Sequence, residues 1–348
     1  MKYVPRESSQ KLRDLAAWYR EYAERAGNSA IWDARLRTAE ELEKEADSLD
    51  QRRKTRVVSE VGRADGSSTE RREDMGGTEA KGIALITGAS SGIGAIYADR
   101  LAKRGFDLIL VARNRSRLTT LAECLGDETG RSVEVVPVDL NDKADLARIE
   151  TTLRTNANIT LLVNNAGVGA TAPLLASDVD KMDEMIRLNV GALTRLIYAA
   201  VPAFVTRGIG TIINIASIVA ISPETLNGVY GGSKAFVLAL SQSLHHELAG
   251  TGVRVQAILP GAIATEFWDI AGLPVRNLRA GSVMSAEDLV DAALAGLDQG
   301  EVVTIPSLPD IAEWIAFDTA RRVMSGRLSA TAPATRYGIR RHSNQPEG

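Results

Sequence analysis

The sequence predicts an α/β protein: a doubly wound parallel sheet of about seven strands, preceded by an N-terminal helical hairpin. Three observations carry this. From residue 81 onward, short β-branched apolar runs alternate with amphipathic helical stretches. The runs are near-continuously apolar, as strands covered on both faces are. A glycine-rich turn, "TGASSGIG" (87–94), joins the first run to the first helix, which is where such sheets receive anionic ligands.

Residues 1–51 hold two helical patterns. Leu12, Leu15, Tyr19, Tyr22 and Ala26 recur at three and four, the spacing of one apolar stripe. "GNSA" (27–30) interrupts it, and Trp32, Leu36, Ala39, Leu42, Ala46 and Leu49 form the second stripe. Two helices alone bury little surface, so the hairpin is expected to be an interaction module or to self-associate. Residues 52–80 are polar and rich in glycine and serine, and are expected to form a flexible linker. Of the first 80 residues 33 are charged, 16 basic and 17 acidic. The basic "RRKTR" (52–56) therefore reads as solvated charge rather than a nucleic-acid contact.

The period then changes. "GIALITG" (82–88) is the first strand, followed by the glycine turn and a helix over 93–104. "FDLILVAR" (106–113) and "SVEVVPVD" (132–139) are the second and third strands, separated by a helix through "RLTTLAECLG" (117–126). A helix over 142–156 precedes the fourth strand, "ITLLVNNAG" (159–167), and a long helix crosses 181–205. "GTIINIAS" (210–217) is the fifth strand. "GVYGGSKAFV" (228–237) opens the next helix, expected to pack through Phe236, Val237 and Leu240. "VRVQAILPG" (253–261) and "EVVTIP" (301–306) complete the sheet. Residues 81–328 are expected to be one domain and 329–348 a disordered tail.

Bulk properties exclude several classes. A net charge of −3 argues against a dedicated nucleic-acid binder. Cys124 is the single cysteine, so neither an intramolecular disulfide nor a cysteine zinc site is available. His245 and His246 are adjacent, so on a helix they diverge, and no metal site is expected. No run reaches the apolar length of a membrane span, and the first 20 residues lack a signal peptide's apolar core. A cytoplasmic protein without membrane or nucleic-acid partners is expected.

The glycine turn points to a dinucleotide. Gly88 would permit the tight turn, Gly92 the approach of a pyrophosphate, and Gly94 close packing of helix on strand. An acid at the end of the second strand would select NAD through the ribose 2′-hydroxyl. Ala112 and Arg113 stand there instead, while Asp107 sits at the strand's far end. Arg113, with Arg117 one turn on, suits a 2′-phosphate, so NADP is expected over NAD; a loop-capping Arg113 is the alternative.

"TGASSGIG", "NNAG" (164–167), Asn189 in "LNVGA", Ser217 in "IAS", "YGGSK" (230–234) and "PGAIAT" (260–265) occur in this order. Together they resemble the short-chain dehydrogenases/reductases, over about residues 81–306 but not the N-terminal 80. The resemblance implies a Rossmann-type domain and hydride transfer between nicotinamide and a small-molecule carbonyl or alcohol. It implies a catalytic set of Asn189, Ser217, Tyr230 and Lys234. Tyr230 would be the general acid/base, and Lys234 would lower its pKa and bind the nicotinamide ribose. Ser217 would orient the substrate oxygen, and Asn189 would hold a relay water. Cofactor contacts fall on Gly88, Ser90, Ser91, Gly92, Ile93 and Gly94, on Asp139 and Leu140 for the adenine, and on Asn165, Ala166 and Gly167. Pro260, Gly261, Ile263 and Thr265 would line the nicotinamide pocket. The family likeness further implies a homodimer or homotetramer, built on the helices around Asn189 and after Tyr230.

The physics of the pair agrees. A tyrosine near pKa ~10 must fall by ~3 units for useful acid/base work, about 4 kcal/mol. An ammonium at ~4 Å supplies about that much at an effective dielectric of ~20. Residues four apart share a helix face, as Tyr230 and Lys234 would. Gly231 and Gly232, poor helix formers, would keep this helix start slim beside cofactor and substrate. "GGSKA" is not a nucleophile elbow. Residues 266–284 read as a lid, in which Trp268 either lines an apolar pocket or anchors the lid, and Asp269, Arg276 and Arg279 are solvated charges. Two other readings stand beside the enzyme: a catalytically silent NADP(H)-binding sensor or scaffold using the hairpin, and a start at Met75 with the first 80 residues an added reading frame.

Overall fold

The computed structural model describes residues 13, 16–17, 20, 40, 43–44, 46–47, 50, 81–273, 277–278 and 281–339. Residues 75–307 form one compact unit. Described residues from 308 onward fall with the N-terminal ones in a second unit, so the larger unit ends before 328.

The larger unit is a seven-stranded parallel sheet, with strands β1 (Ile83–Thr87), β2 (Asp107–Ala112), β3 (Val133–Pro137), β4 (Ile159–Asn164), β5 (Gly210–Ile215), β6 (Val253–Ile258) and β9 (Val303–Thr304) in the order β3-β2-β1-β4-β5-β6-β9. β1 pairs with β2 in register on one side and, with a shift between Ile83 and Ala84, with β4 on the other. The chain therefore reverses its direction of travel across the sheet between these neighbours, which opens a crevice at their carboxyl ends. A two-stranded ribbon, β7 (Ala262–Ile263) with β8 (Val283–Met284), was not foreseen from the sequence. Two residues per strand carry too little periodicity to be read.

Helices cover both faces: α1 (Gly92–Lys103), α2 (Arg115–Thr129), α3 (Lys143–Thr155), α4 (Val179–Ile186), α5 (Leu193–Arg207), α6 (Gly228–Glu247), the short α7 (Phe267–Ile270) and α8 (Ala286–Gln299). Their ends follow local chemistry. Asn114, Asp142, Asp178 and Ser285 cap α2, α3, α4 and α8 through side-chain oxygens. Gly130, Gly208 and Gly300 end α2, α5 and α8 in the left-handed region that glycine tolerates. Tyr97, Ala98 and Leu101 of α1 and Leu289, Val290 and Leu294 of α8 share one core with Ile86 and Leu110. Arg100 pairs with Asp291 at 2.7 Å and Arg104 with Asp298 at 3.0 Å along the rim of the same two helices.

The long helix runs unbroken from Val179 to Arg207, with one π-helical turn at Arg187–Ala192. Its 29 residues are long and apolar enough to cross a membrane, contrary to the reading of the sequence. α5 packs on α3, β4 and β5, the position of a core helix in this sheet. Glu150 of α3, 3% exposed, is held there by Arg154 at 2.7 Å and by Arg195 of α5. Burial pushes its carboxyl up, and the two guanidiniums more than reverse that, leaving it below the usual range. On α6 the core face is Val237, Leu238 and Leu244; Phe236, expected to pack, is 40% exposed. His245 and His246 are exposed at its end.

In the second unit the ten described positions of 1–51 are helical, with Ala16 and Ala46 buried. Arg13 pairs with Asp47 and Asp50, and Arg20 with Glu43. The pairs run antiparallel, as in a helical hairpin. The expected linker, 52–80, lies outside the described residues. Helix α9 (Ile311–Ser325) belongs to this unit. Of the expected tail, 329–339 are exposed with one 3₁₀ turn at Thr335–Tyr337, and 340–348 lie outside the described residues.

Candidate active site

β1 ends at Thr87, whose buried Oγ1 accepts from the backbone N–H groups of Asn165 and Ala166, both at 3.0 Å. Asn165 Nδ2 donates to the carbonyls of Thr87 (2.9 Å) and Gly88 (3.1 Å). The end of β4 thus braces the glycine turn, and the amide donors of Asn165 are taken up by that bracing. Gly88 and Gly92 have φ of 65° and 53°. A Cβ on Gly94 would lie 2.3 Å from the Gly88 carbonyl oxygen, so this helix and strand approach as only glycine permits. Ser91, at the N-cap of α1, makes no side-chain cap bond, and the first turn carries no acid. Free N–H donors and a partial positive charge therefore sit beside the turn without a protein anion. A slim turn with free donors fits a pyrophosphate.

Helix α6 starts where Asn227 accepts from the N–H of Val229 (2.9 Å) and Tyr230 (3.4 Å). Asn227 Nδ2 also donates to Ala172 O (2.7 Å) and Ser177 Oγ (3.0 Å), tying the helix start to the loop after β4. One turn on, Tyr230 and Lys234 are 5% and 6% exposed. The Ser217 side chain lies close enough to the Tyr230 hydroxyl to pull its pKa down, and Ser217 is set at the end of β5 by its own contacts with Pro260 O and Val219 N. Lys234 Nζ donates to Ile215 O at 2.8 Å, leaving two further donors.

Here the electrostatics differ from the sequence argument. Burial pushes the Tyr230 phenol up to about 12, with only Ser217 pulling it down. Burial likewise drives the Lys234 ammonium down to about 8. The Nζ lies 5.9 Å from the phenol ring centroid, and desolvation outweighs its attraction. The two glycines are also re-read. A Cβ on Gly231 would touch Pro223 at 3.3 Å, and one on Gly232 would meet nothing within 4 Å. Gly231 makes room for a neighbouring turn rather than a ligand.

Asn189 sits in the π-helical turn with both ends of its amide engaged. Oδ1 accepts from Val168 N (3.0 Å), and Nδ2 donates to Val168 O (2.9 Å) and Ser233 Oγ (3.2 Å). Ser233 in turn donates to Tyr230 O at 2.8 Å. The side chain expected to hold a relay water also locks the loop after β4 to the tyrosine's helix.

A cavity of about 440 Å³ joins these parts. Of the residues expected from sequence it is lined by Gly88, Ser91, Gly92, Ile93, Asn165, Ala166, Gly167, Ser217, Tyr230, Lys234, Pro260, Gly261, Ile263 and Thr265. Gly94 and Asn189 lie behind this wall as supports, and Ser90 lies in the same turn. Arg113, Arg117, Asp139 and Leu140 lie off the cavity, beyond the ends of β2 and β3. Arg113 is exposed directly after β2. Arg117 is bidentate to Glu266 at 2.6 and 3.0 Å. Asp139 accepts from Asn141 N, and its own N–H donates to Asp145.

The remaining wall is largely apolar, with Val168, Val219, Leu226, Phe267, Trp268 and Leu273, and it also carries Thr225, Glu266 and Ser282. Trp268 both lines the cavity and anchors this segment, 8% exposed with its indole N–H on Ile263 O at 2.9 Å. Phe267 reaches inward, its ring centroid 5.9 Å from that of Tyr230. The side chain of Asp269, and Arg276 and Arg279, lie outside the described residues. No cluster of potential metal ligands occurs among the described residues.

The sequence profile of the short chain dehydrogenases matches residues 82–271, more than half of the chain. The chain belongs to the short-chain dehydrogenase family. It is an oxidoreductase of the NAD(P)-binding type. Among solved structures it is similar to a short-chain dehydrogenase from Sphingobium yanoikuyae in complex with NADPH, 47% identical with a TM-score of 0.71, covering 74% of this chain and 100% of that one. It is similar to the bulky-bulky ketone specific alcohol dehydrogenase from Comamonas testosteroni, 41% identical with a TM-score of 0.68, covering 74% and 99%. It is also 41% identical to sulfoacetaldehyde reductase 2 from Chromohalobacter salexigens over 189 residues, 53% of this chain and 74% of that one.

Several contributors escaped the sequence reading. Asn227, two residues before a helix's first apolar position, carried a readable N-cap signal. Thr87 and Ser233 act through buried hydrogen bonds that no local pattern announces. Glu266 and Phe267 were within the expected lid, but only the fold brings them to Arg117 and Tyr230.

Proposed function

We propose that this protein is an NADP(H)-dependent carbonyl reductase, or alcohol dehydrogenase in the reverse direction, with Tyr230 as general acid/base. One observation carries the reading: the side chains of Tyr230, Ser217 and Lys234 line one cavity together with the glycine turn. The carbonyl oxygen would accept hydrogen bonds from Ser217 and Tyr230, which polarises it and fixes its carbon toward the cofactor. NADPH, when bound, supplies the hydride that the carbonyl carbon accepts as the C=O π pair moves to oxygen. Tyr230 gives its proton to that oxygen, so hydride on carbon and proton on oxygen together complete the alcohol. Lys234 stabilises the phenolate left behind. Asn189 and Ser233 hold the tyrosine's helix in place, and Asn189 would hold the relay water.

The cofactor would lie on Ser91–Gly94, with Lys234 and Thr265 at its nicotinamide end and Arg113 at its 2′-phosphate. The relative solved with NADPH supports that preference. A ketone-specific relative supports the substrate class. Exposed Tyr198 and Val205 on α5 and Phe236 on α6 support a homodimer or homotetramer. The test is Tyr230→Phe. Turnover across a ketone and aldehyde panel should vanish, while NADPH affinity by fluorescence titration stays within about threefold. Retained turnover refutes the role.

A further inference from the structure

The lid is pinned at two points. Trp268 Nε1 donates to Ile263 O at 2.9 Å, and Thr171 Oγ1 donates to Ala271 O at 2.8 Å. Between these pins the Phe267 ring enters a notch that a glycine leaves open. A Cβ on Gly169 would lie 2.2 Å from Phe267 Cζ and 3.0 and 3.1 Å from its two Cε atoms. No side chain at 169 is compatible with the ring as placed. The ring also meets Tyr230 at 5.9 Å and the edge of Trp268 at 5.6 Å, with the indole and phenyl planes 89° apart. It packs on the small apolar cluster of Ala170, Met185, Val219 and Tyr230 beside Val168 and Leu226. Phe267 is thus a fixed wall next to the reacting hydroxyl rather than a loose loop side chain.

We infer that Phe267, seated in the Gly169 notch, selects the substrate: an uncharged ketone carrying a flat aryl group that lies against the Phe267 ring. This rests on the carbonyl-reductase reading above. An aryl face on a phenyl face, flanked by Val219 and Leu226, removes apolar surface from water on both sides. A sulfonate or carboxylate in the same place would lose its water to apolar neighbours. The bond changes are those of the reductase reading; Phe267 only orients the ketone.

The experiment compares kcat/KM for acetophenone, 2-butanone and sulfoacetaldehyde with NADPH, in wild type, Phe267→Ala, Gly169→Ala and the double variant. Wild type should prefer acetophenone over both others. Phe267→Ala should lower the acetophenone to 2-butanone ratio by about tenfold, mainly through KM. Gly169→Ala should do the same, because its methyl evicts the ring. The double variant should match Phe267→Ala alone, because the clash is gone. Thermal unfolding gives a second readout free of turnover: Gly169→Ala should lower Tm when introduced into wild type and leave it unchanged when introduced into the Phe267→Ala variant. A ratio unmoved in Phe267→Ala, additive Tm shifts, or preference for sulfoacetaldehyde overturns the inference while leaving a working reductase. No turnover of any carbonyl by wild type that still binds NADPH overturns the reductase reading, and this inference with it.

Discussion

Replacing Lys234 with methionine should make the protein more stable at neutral pH while removing its activity. The reasoning starts from burial. Lys234 is 6% exposed, and desolvation brings its ammonium from 10.5 down to about 8. That difference of about 2.5 units, at about 1.4 kcal/mol each, is a penalty of about 3–4 kcal/mol when the lysine is charged. The folded-state pKa is depressed for a base, so between pH 8 and 10.5 the unfolded chain binds more protons. Stability therefore rises with pH across that window and is flat below it. Methionine is one atom shorter and drops the charge, but it strips Ile215 O of its 2.8 Å donor, costing about 1 kcal/mol. The net gain for Lys234→Met is about 2 kcal/mol at pH 7. It should shrink above pH 8, and the order should reverse between about pH 9 and 10 as the wild-type lysine neutralises. Tyr230, driven up to about 12, does not ionise in that range. Urea unfolding of cofactor-free wild type and variant at pH 7, 8, 9 and 10 measures this directly. A stability difference that stays constant with pH would refute the account of Lys234 as a desolvated ammonium.

Glu266→Gln should tighten NADPH binding and leave NADH binding unchanged, because it frees the Arg117 guanidinium now bidentate to Glu266; titration of both cofactors checks it, and equal shifts for the two would sink it. Arg113→Ala should lower the NADPH to NADH ratio of kcat/KM by at least about tenfold, the loss of a charge-assisted phosphate contact. Gly94→Ala should lower affinity for either cofactor and cost about 1–3 kcal/mol of stability, since its Cβ meets backbone at 2.3 Å and no rotamer relieves that. Arg195→Met leaves the buried Glu150 carboxylate with Arg154 alone and should cost about 1–2 kcal/mol at pH 7. That cost should fade as pH drops through the carboxyl's depressed pKa, where protonation removes the charge.

What could be read from the sequence follows the range of the physics involved. β1 to β6 fall within the apolar runs because a parallel strand buried on both faces is written locally, residue by residue. Helix ends were legible where a cap stands next to the helix, as with Asp142 and Asn156 bounding α3. The motif residues that line the cavity were legible too, because each sits at a strand end or helix start. Contacts between distant segments were not. Nothing in "TEF" (265–267) announces that its acid meets Arg117 and its ring meets Gly169. The charge argument for Tyr230 failed for a related reason. It used a distance and a dielectric, whereas the sign of the shift depends on how completely the pair is buried, which only the packed fold determines.

That reversal bears on how the site would work. With Tyr230 at about 12 and Lys234 at about 8, the phenol is a poor acid at neutral pH, while the lysine is still charged but desolvated. Both are poised by burial, so both respond strongly to any charge or donor brought into the cavity. An occupant that offers acceptors to the two open N–H groups of Lys234 favours its charged form, and the charged form then favours phenolate. Acid/base competence would thus arise on binding rather than exist beforehand. The protein's contribution is to hold the hydroxyl still meanwhile, through Asn227, Ser233 and Asn189, whose hydrogen bonds fix the start of α6 without adding any charge beside it. Placement is built into neutral contacts, and reactivity is left to the ligand.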